Sequence, residues 1–221
     1  MLTVRDLAVS IKAADILHGV TLEAVPHGLT GLMGRNGAGK TTLLRSVMGL
    51  LPIRGGHITV GGDDITNVQP HRRPQFGIGY MPEDRRLVPE LSVEENILIP
   101  AWAAGRKENS ERLRWIYGIM PEVERFAARK AFQLSGGQQK LVALARALII
   151  GDKLLLLDEP FEGVAPALAR RLVEVLADLK GEGLSILLSE SDSTHSFDLL
   201  DALYVIERGR VAPKALEGVG G

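Results

Sequence analysis

The run Gly34-Arg35-Asn36-Gly37-Ala38-Gly39-Lys40-Thr41 constrains this chain more than any other feature of its sequence. It has the spacing G-x-x-x-x-G-K-[ST], follows the apolar run Leu29 to Met33, and opens a segment of helical period, Lys40 to Met48. A strand that enters a glycine-rich turn and leaves as a helix points successive backbone N–H groups at one spot, where the helix N-terminus adds partial positive charge. Such a loop cradles the phosphates of a nucleotide. Asn36, Gly37, Ala38 and Gly39 supply the main chain, Lys40 reaches the β and γ phosphates, and Thr41 and Thr42 stand at the helix start, with the Thr41 hydroxyl completing the coordination of Mg²⁺. A glycine-rich turn that merely happens to precede a lysine accounts for neither the strand before it nor the helix after it.

Other short runs rich in Val, Ile and Leu read as strands: Leu2 to Val9, Ile16 to Leu22, Ile58 to Val60, Ile78 to Met81, Leu154 to Leu157, Leu184 to Leu188 and Ala202 to Ile206. Segments of helical period lie among them at Val93 to Ala103, Arg112 to Tyr117, Gly136 to Ile150, Pro166 to Leu179 and Asp192 to Leu200. Alternation of the two in the later half predicts an α/β fold with a parallel sheet and right-handed crossovers. Ser92 with Glu95, and Ser135 with Gln138, have the spacing of capping boxes. The stretch Glu90 to Gln133 has no strand candidate and carries Pro100 and Pro121 as breaks, so it reads as a small helical insert. Pro213 to Gly221 read as a frayed end.

Two further motifs narrow the chemistry. Leu154-Leu155-Leu156-Leu157-Asp158-Glu159-Pro160 sets acids at the C-terminal end of a buried strand, where Asp158 holds Mg²⁺ beside the phosphate loop and Glu159 serves as general base for an attacking water. Standing alone, the same pair is also what a helix cap after a core strand looks like. Leu134-Ser135-Gly136-Gly137-Gln138 forms a second anion site, with open glycine amides and a hydroxyl at a helix N-terminus. If the two sites lie on distant faces, one chain cannot close both on one nucleotide. A head-to-tail pair of subunits can.

Composition excludes several alternatives. Twenty-six Lys and Arg against 27 Asp and Glu leave a formal net charge of −1, which gives no whole-surface grip on nucleic acid. No cysteine is present, so disulfides, thiolate metal sites and thiol nucleophiles are excluded, and the five histidines show no metal-ligand spacing. No apolar run approaches the roughly 18 residues that a membrane-spanning helix needs. Arg5 and Asp6 stand where a secretory signal needs an apolar block, so export is not expected.

In this order and spacing, G-R-N-G-A-G-K-T-T, L-S-G-G-Q and L-L-L-L-D-E-P resemble the ATP-binding subunits of ABC transporters. The run Gly79 to Pro89 with Leu91 to Asn96, and Glu-Gly-Val-Ala-Pro at Glu162 to Pro166, are similar to one of the two ATPase subunits of branched-chain amino acid importers. That subgroup also serves urea, other amino acids and small amides. The resemblance implies one nucleotide-binding domain over residues 1–221, built on a P-loop NTPase, RecA-like core with an N-terminal antiparallel β portion and a helical subdomain at about 90–133. It implies ATP and Mg²⁺, pairing with a second identical or different ATP-binding subunit, and docking on membrane-spanning permease subunits at the cytoplasmic face of the cell (inner) membrane. A periplasmic or extracellular solute-binding protein is an indirect partner; nucleic acid is not one.

Against the family pattern, four positions depart. Ile11 takes the place of the aromatic that stacks on adenine, which implies weak adenine selectivity. Glu83 replaces a glutamine beside the metal and catalytic water, Ser191 replaces the histidine that contacts the γ phosphate, and Ala165 replaces an aspartate. The competing class is a soluble ABC ATPase acting on nucleic acid or in regulation without a permease; its members carry tandem nucleotide domains or a long coiled coil, and this sequence has neither. A nucleotide kinase would share the phosphate loop but have no use for Ser135.

Overall fold

Alternating apolar residues make a hairpin of two ten-residue strands, β1 (Leu2–Ile11) and β2 (Ala14–Glu23), whose inward side chains Leu2, Val4, Leu7, Leu17, Val20 and Leu22 are all at most 1% exposed. In the computed structural model, residues 1–191 and 195–216 are described. The chain continues through β3 (Leu29–Met33), α1 (Lys40–Val47), β4 (Gly55–Val60), β5 (Asp63–Asp64) and β6 (Ile78–Met81). Then come α2 (Val93–Ala103), α3 (Ser110–Ile119), α4 (Pro121–Glu124), α5 (Gly136–Leu148), β7 (Leu154–Asp158), α6 (Pro166–Gly181), β8 (Ser185–Glu190), β9 (Ala202–Glu207) and β10 (Arg210–Lys214).

The hairpin belongs to an antiparallel sheet of order β2-β1-β4-β5. A six-stranded sheet of order β10-β9-β3-β8-β7-β6 forms the centre, parallel throughout except for β10. Strands β3, β7 and β8 are buried at every residue, as expected of parallel strands covered on both faces. Their period of two divides the core. Leu154, Leu156 and Leu187 join the cluster formed by the N-terminal sheet and α1, whereas Leu155, Leu157, Ile186 and Leu188 join the one formed with α2, α5 and α6. This alternation decides which way the residues just beyond the strand ends point, and so it places the site.

Several expectations need correction. Asp192, Ser193 and Thr194 lie outside the described residues, and the remainder of that segment is not an α-helix: Phe197–Leu199 form one 3₁₀ turn, with Ser196 donating to the Glu190 carboxylate. In that remainder the Ser196 side chain bonds away from the local backbone, a competition that disfavours a helix. Pro100 does not break α2, which continues through it to Ala103, and Pro121 starts α4 at the first helical position, where its missing N–H costs nothing. Pro213 and Lys214 are not frayed but pair with Tyr204 and Leu203 in β10, an edge strand that tolerates a proline. The 3₁₀ segment Pro70–Phe76 and the two-residue β5 carry no periodic signal in the sequence. Among the described residues no helix is long and apolar enough to cross a membrane.

Candidate functional site

The site forms where parallel strands end. After Met33 the chain turns through Gly34 to Gly39 into α1. A Cβ at Gly34 would collide with the Ile206 carbonyl oxygen, and one at Gly39, held at φ +114°, would press on Leu17 at 2.9 Å. Neither position admits a side chain. Lys40, only 5% exposed, folds back over this turn. Its Nζ donates to the carbonyls of Gly34 and of Arg35, the latter at 3.1 Å, and ion-pairs with Glu159 Oε1 at 2.9 Å.

Two residues beyond Leu156, Asp158 points to the same face of the sheet, toward α1. Its Oδ1 accepts from Thr41 Oγ1 at 3.1 Å and from Ser189 Oγ at 2.8 Å; its Oδ2 accepts from the Tyr80 hydroxyl at 3.2 Å. Burial pushes the Asp158 carboxyl above its usual range and the Glu159 charge adds to this, while the three hydroxyl donors pull it back. A carboxylate with a hydroxyl beside it at a helix start is the hard oxygen donor set that suits Mg²⁺, so the residues present fit that ion.

Glu159 leaves the strand in a left-handed backbone conformation, φ +49°, with its N–H donating to the Ser189 carbonyl at 3.1 Å. Besides Lys40, its carboxylate accepts from the N–H of Ser191 at 3.1 Å and from the Ser191 hydroxyl at 2.9 Å. That hydroxyl also lies 2.8 Å from Asn36 Oδ1, and its single proton serves one acceptor at a time. A cleft of about 510 Å³ is lined by Asn36, Gly37, Gly39, Lys40, Thr41 and Thr42, faced by Glu83 and Glu159, with Ile16 of β2 completing it. Burial pushes the Glu83 carboxyl up, and the charges of Glu162, Asp158, Glu159 and Asp84 push it further.

The other expected residues fall elsewhere. Ala38 lines an adjacent cleft with Arg208 at the β9–β10 turn. Ile11 ends β1, is 40% exposed, and does not line the phosphate cleft; Ile16 does. Ser135 caps α5 in a complete capping box with Gln138, and Gly136, Gly137 and Gln138 share a second cleft of about 530 Å³ with Arg85, Lys140 and Glu162. No residue of the phosphate loop lines it. Sequence reasoning missed Ile16, Tyr80, Ser189 and Lys140. Ser189 stands opposite Asp158 in the β7–β8 register and Tyr80 opposite Leu156 in the β6–β7 register, so only a pairing scheme would have found them.

A family model described as "ABC transporter" matches residues 17–162. The chain is 35% identical to the probable branched-chain amino acid transport ATP-binding protein LivF of Archaeoglobus fulgidus, over 96% of this chain and 90% of the relative. It is 32% identical to the high-affinity branched-chain amino acid transport ATP-binding protein BraG of Pseudomonas aeruginosa, covering 96% and 91%. It is also 32% identical to the lipopolysaccharide export system ATP-binding protein LptB of Haemophilus influenzae, covering 96% and 88%. Among solved structures, a nucleotide-free ATP-binding cassette from an ABC transporter superposes with TM-score 0.86 at 29% identity over 98% of this chain and 92% of that one. The ADP conformation of another such cassette gives TM-score 0.83 at 29% identity over 96% and 89%.

Proposed function

The chain belongs to the ABC transporter family and is an ATP-hydrolysing P-loop ATPase, and on that premise we propose that it powers an importer of branched-chain amino acids or of a related small solute such as another amino acid, urea or an amide. The observation that carries the mechanism is the separation of two clefts of unlike charge. The phosphate cleft sets Lys40 against Glu83 and Glu159, with Asp158 behind; the Ser135 cleft sets Arg85 and Lys140 against Glu162. Neither is a whole site. Two subunits, identical or different, closing head to tail bring the cationic cleft of one onto the triphosphate held by the other.

Bound ATP draws Lys40 from Glu159 to the β and γ phosphates, where its charge offsets the charge that develops during transfer. Glu159, released from that ion pair, accepts a proton from the water that attacks the γ phosphate in line. Ser191 holds the Glu159 carboxylate by main chain and hydroxyl and takes the place of a γ-phosphate contact. Thr41 and Asp158, with Glu83 across the cleft, would hold Mg²⁺, which when bound neutralises charge on the β and γ oxygens.

Coupling to transport needs a surface for a permease at the cytoplasmic face of the membrane. We assign it to the largely apolar groove lined by Met48, Leu50, Tyr80, Ile99, Pro100 and Ile150, with Arg86 and Arg146 also on its wall, between the core and the helical subdomain at about 90–133. Leu50 there is 44% exposed. A periplasmic or extracellular solute-binding protein then acts on the chain only through the permease. Similarity to LptB supplies the second reading, export of a lipid-linked substrate by the same ATPase chemistry. Reconstitution of the chain with its permease in lipid discs separates the two. ATPase activity rising with amino-acid-loaded binding protein supports import; activity rising only with lipopolysaccharide overturns it.

A further inference from the structure

Helix α5 starts in the Ser135 cleft and carries Lys140 in its second turn, 4% exposed. Lys140 Nζ donates to the carbonyl oxygen of Glu159 at 3.0 Å and to that of Glu162 at 2.6 Å. Both acceptors are neutral, and burial draws the ammonium down to about 8; the Arg85 charge works in the same direction, and Glu162, Glu83 and Glu159 work against it. A buried ammonium on main-chain carbonyls costs stability relative to an apolar side chain of similar length. Packing alone therefore gives no reason for a lysine here.

What Lys140 holds is informative. The loop from Glu159 to Ala165 has no regular structure, and Glu159 opens it with φ +49°, a conformation that a glutamate keeps only when its surroundings impose it. We propose that Lys140 is a positioning residue for hydrolysis: by gripping the carbonyls of Glu159 and Glu162 it holds the base on the helix whose N-terminus meets the partner subunit's nucleotide. The inference deepens the reading of Glu159 as base and rests on it. Closing of the Ser135 cleft then reaches Glu159 of the same chain through one side chain.

Steady-state phosphate release by the intact chain at saturating Mg²⁺ tests this, with ATP affinity and melting temperature measured alongside. For Lys140→Met the expected result is a kcat lower by about 10- to 100-fold, with KM within about twofold and no fall in melting temperature. Lys140→Arg, which keeps two donors, should recover most of the rate. Combined with Glu159→Gln, Lys140→Met should slow the enzyme no further, because both changes act through one carboxylate. If Lys140→Met folds poorly, Lys140→Gln is read the same way. A kcat unchanged in Lys140→Met overturns the proposal, as does a loss that tracks ATP affinity and melting temperature together. If Glu159→Gln hydrolyses ATP at the wild-type rate, the base assignment fails first; if Glu159→Gln is inactive and Lys140→Met is not, the positioning role alone fails.

Discussion

The two clefts differ in how they treat their own polar groups. In the phosphate cleft the central groups already have partners: Lys40 pairs with Glu159, Thr41 donates to Asp158, and Ser191 donates to Glu159. In the Ser135 cleft Ser135 and Gln138 bond to each other within the first turn of α5, Arg85 donates to the Gly136 carbonyl at 3.0 Å, and Ser135 and Gly136 stand exposed. The first cleft must exchange internal bonds for bonds to ATP before it can act. The second has orphan helix amides ready for an anion that its own chain does not deliver. Under the proposed head-to-tail pairing, such an ATPase stays idle until two surfaces meet.

The largest expected effect breaks the first cleft. Glu159→Gln removes the base and weakens the hold on Lys40, so hydrolysis should fall by about 10²- to 10⁴-fold while ATP binding is kept or tightened. Lys40→Ala removes the cation that meets the phosphates and leaves the buried Glu159 carboxylate without its ion-pair partner, and should weaken ATP binding more than about tenfold. Equilibrium titration with a fluorescent ATP analogue, together with phosphate release, distinguishes the two. Hydrolysis by Glu159→Gln at the normal rate would remove this glutamate from the chemistry.

Breaking the second cleft should spare binding and stop turnover. Ser135→Arg is expected to leave ATP affinity of the isolated chain within about twofold and to lower hydrolysis by about 10- to 100-fold. If identical chains pair, mixing Ser135→Arg with Lys40→Ala gives each mixed dimer one intact composite site, and activity should return to a substantial fraction of wild type. Lack of any recovery would mean that two copies do not complete each other and that the partner is a different subunit.

The unequal legibility of the molecule has its origin in the same geometry. Phosphate loop, acid pair and Ser135 turn are contiguous motifs that depend on neighbours along the chain, so the sequence singles out Lys40, Thr41, Asp158 and Glu159, which the structure brings into contact. Ser189 and Tyr80 act on Asp158 across strands, and their roles exist only once β6, β7 and β8 are in register. Central strands were plain because both faces are buried. Around Phe197–Leu199 the apolar residues Phe197, Leu199 and Leu200 mimic a helical stripe, yet this part of the chain makes a single 3₁₀ turn beside Ser196.

A milder effect separates Ile11 from Ile16. The family resemblance puts the base-facing residue at Ile11, yet it is Ile16 that lines the phosphate cleft. An aliphatic wall covers a base without stacking on it, so ATP and GTP should bind within about tenfold of each other. Ile16→Tyr should tighten ATP binding by up to about tenfold, and Ile11→Tyr should do less. A wild-type preference for ATP over GTP of tenfold or more would show that another residue reads the base.

The smallest effect concerns Lys140 and needs no nucleotide. Its folded pKa of about 8 lies below the roughly 10.4 of an unfolded lysine, so between those values the unfolded chain binds more protons than the folded one. The contribution of this residue to stability is therefore fully present above the unfolded value, declines as pH falls through that window, and is lost below the folded value, where the buried charge is a burden. Melting temperature of the wild type should fall less steeply than that of Lys140→Met as pH is raised from 8 to about 10, because the variant lacks this gain. At pH 7 the variant should melt no lower than the wild type. Parallel melting curves across that range would show that the ammonium is not held in a desolvated place, and the rate loss of Lys140→Met would then need a cause other than the grip on the two carbonyls.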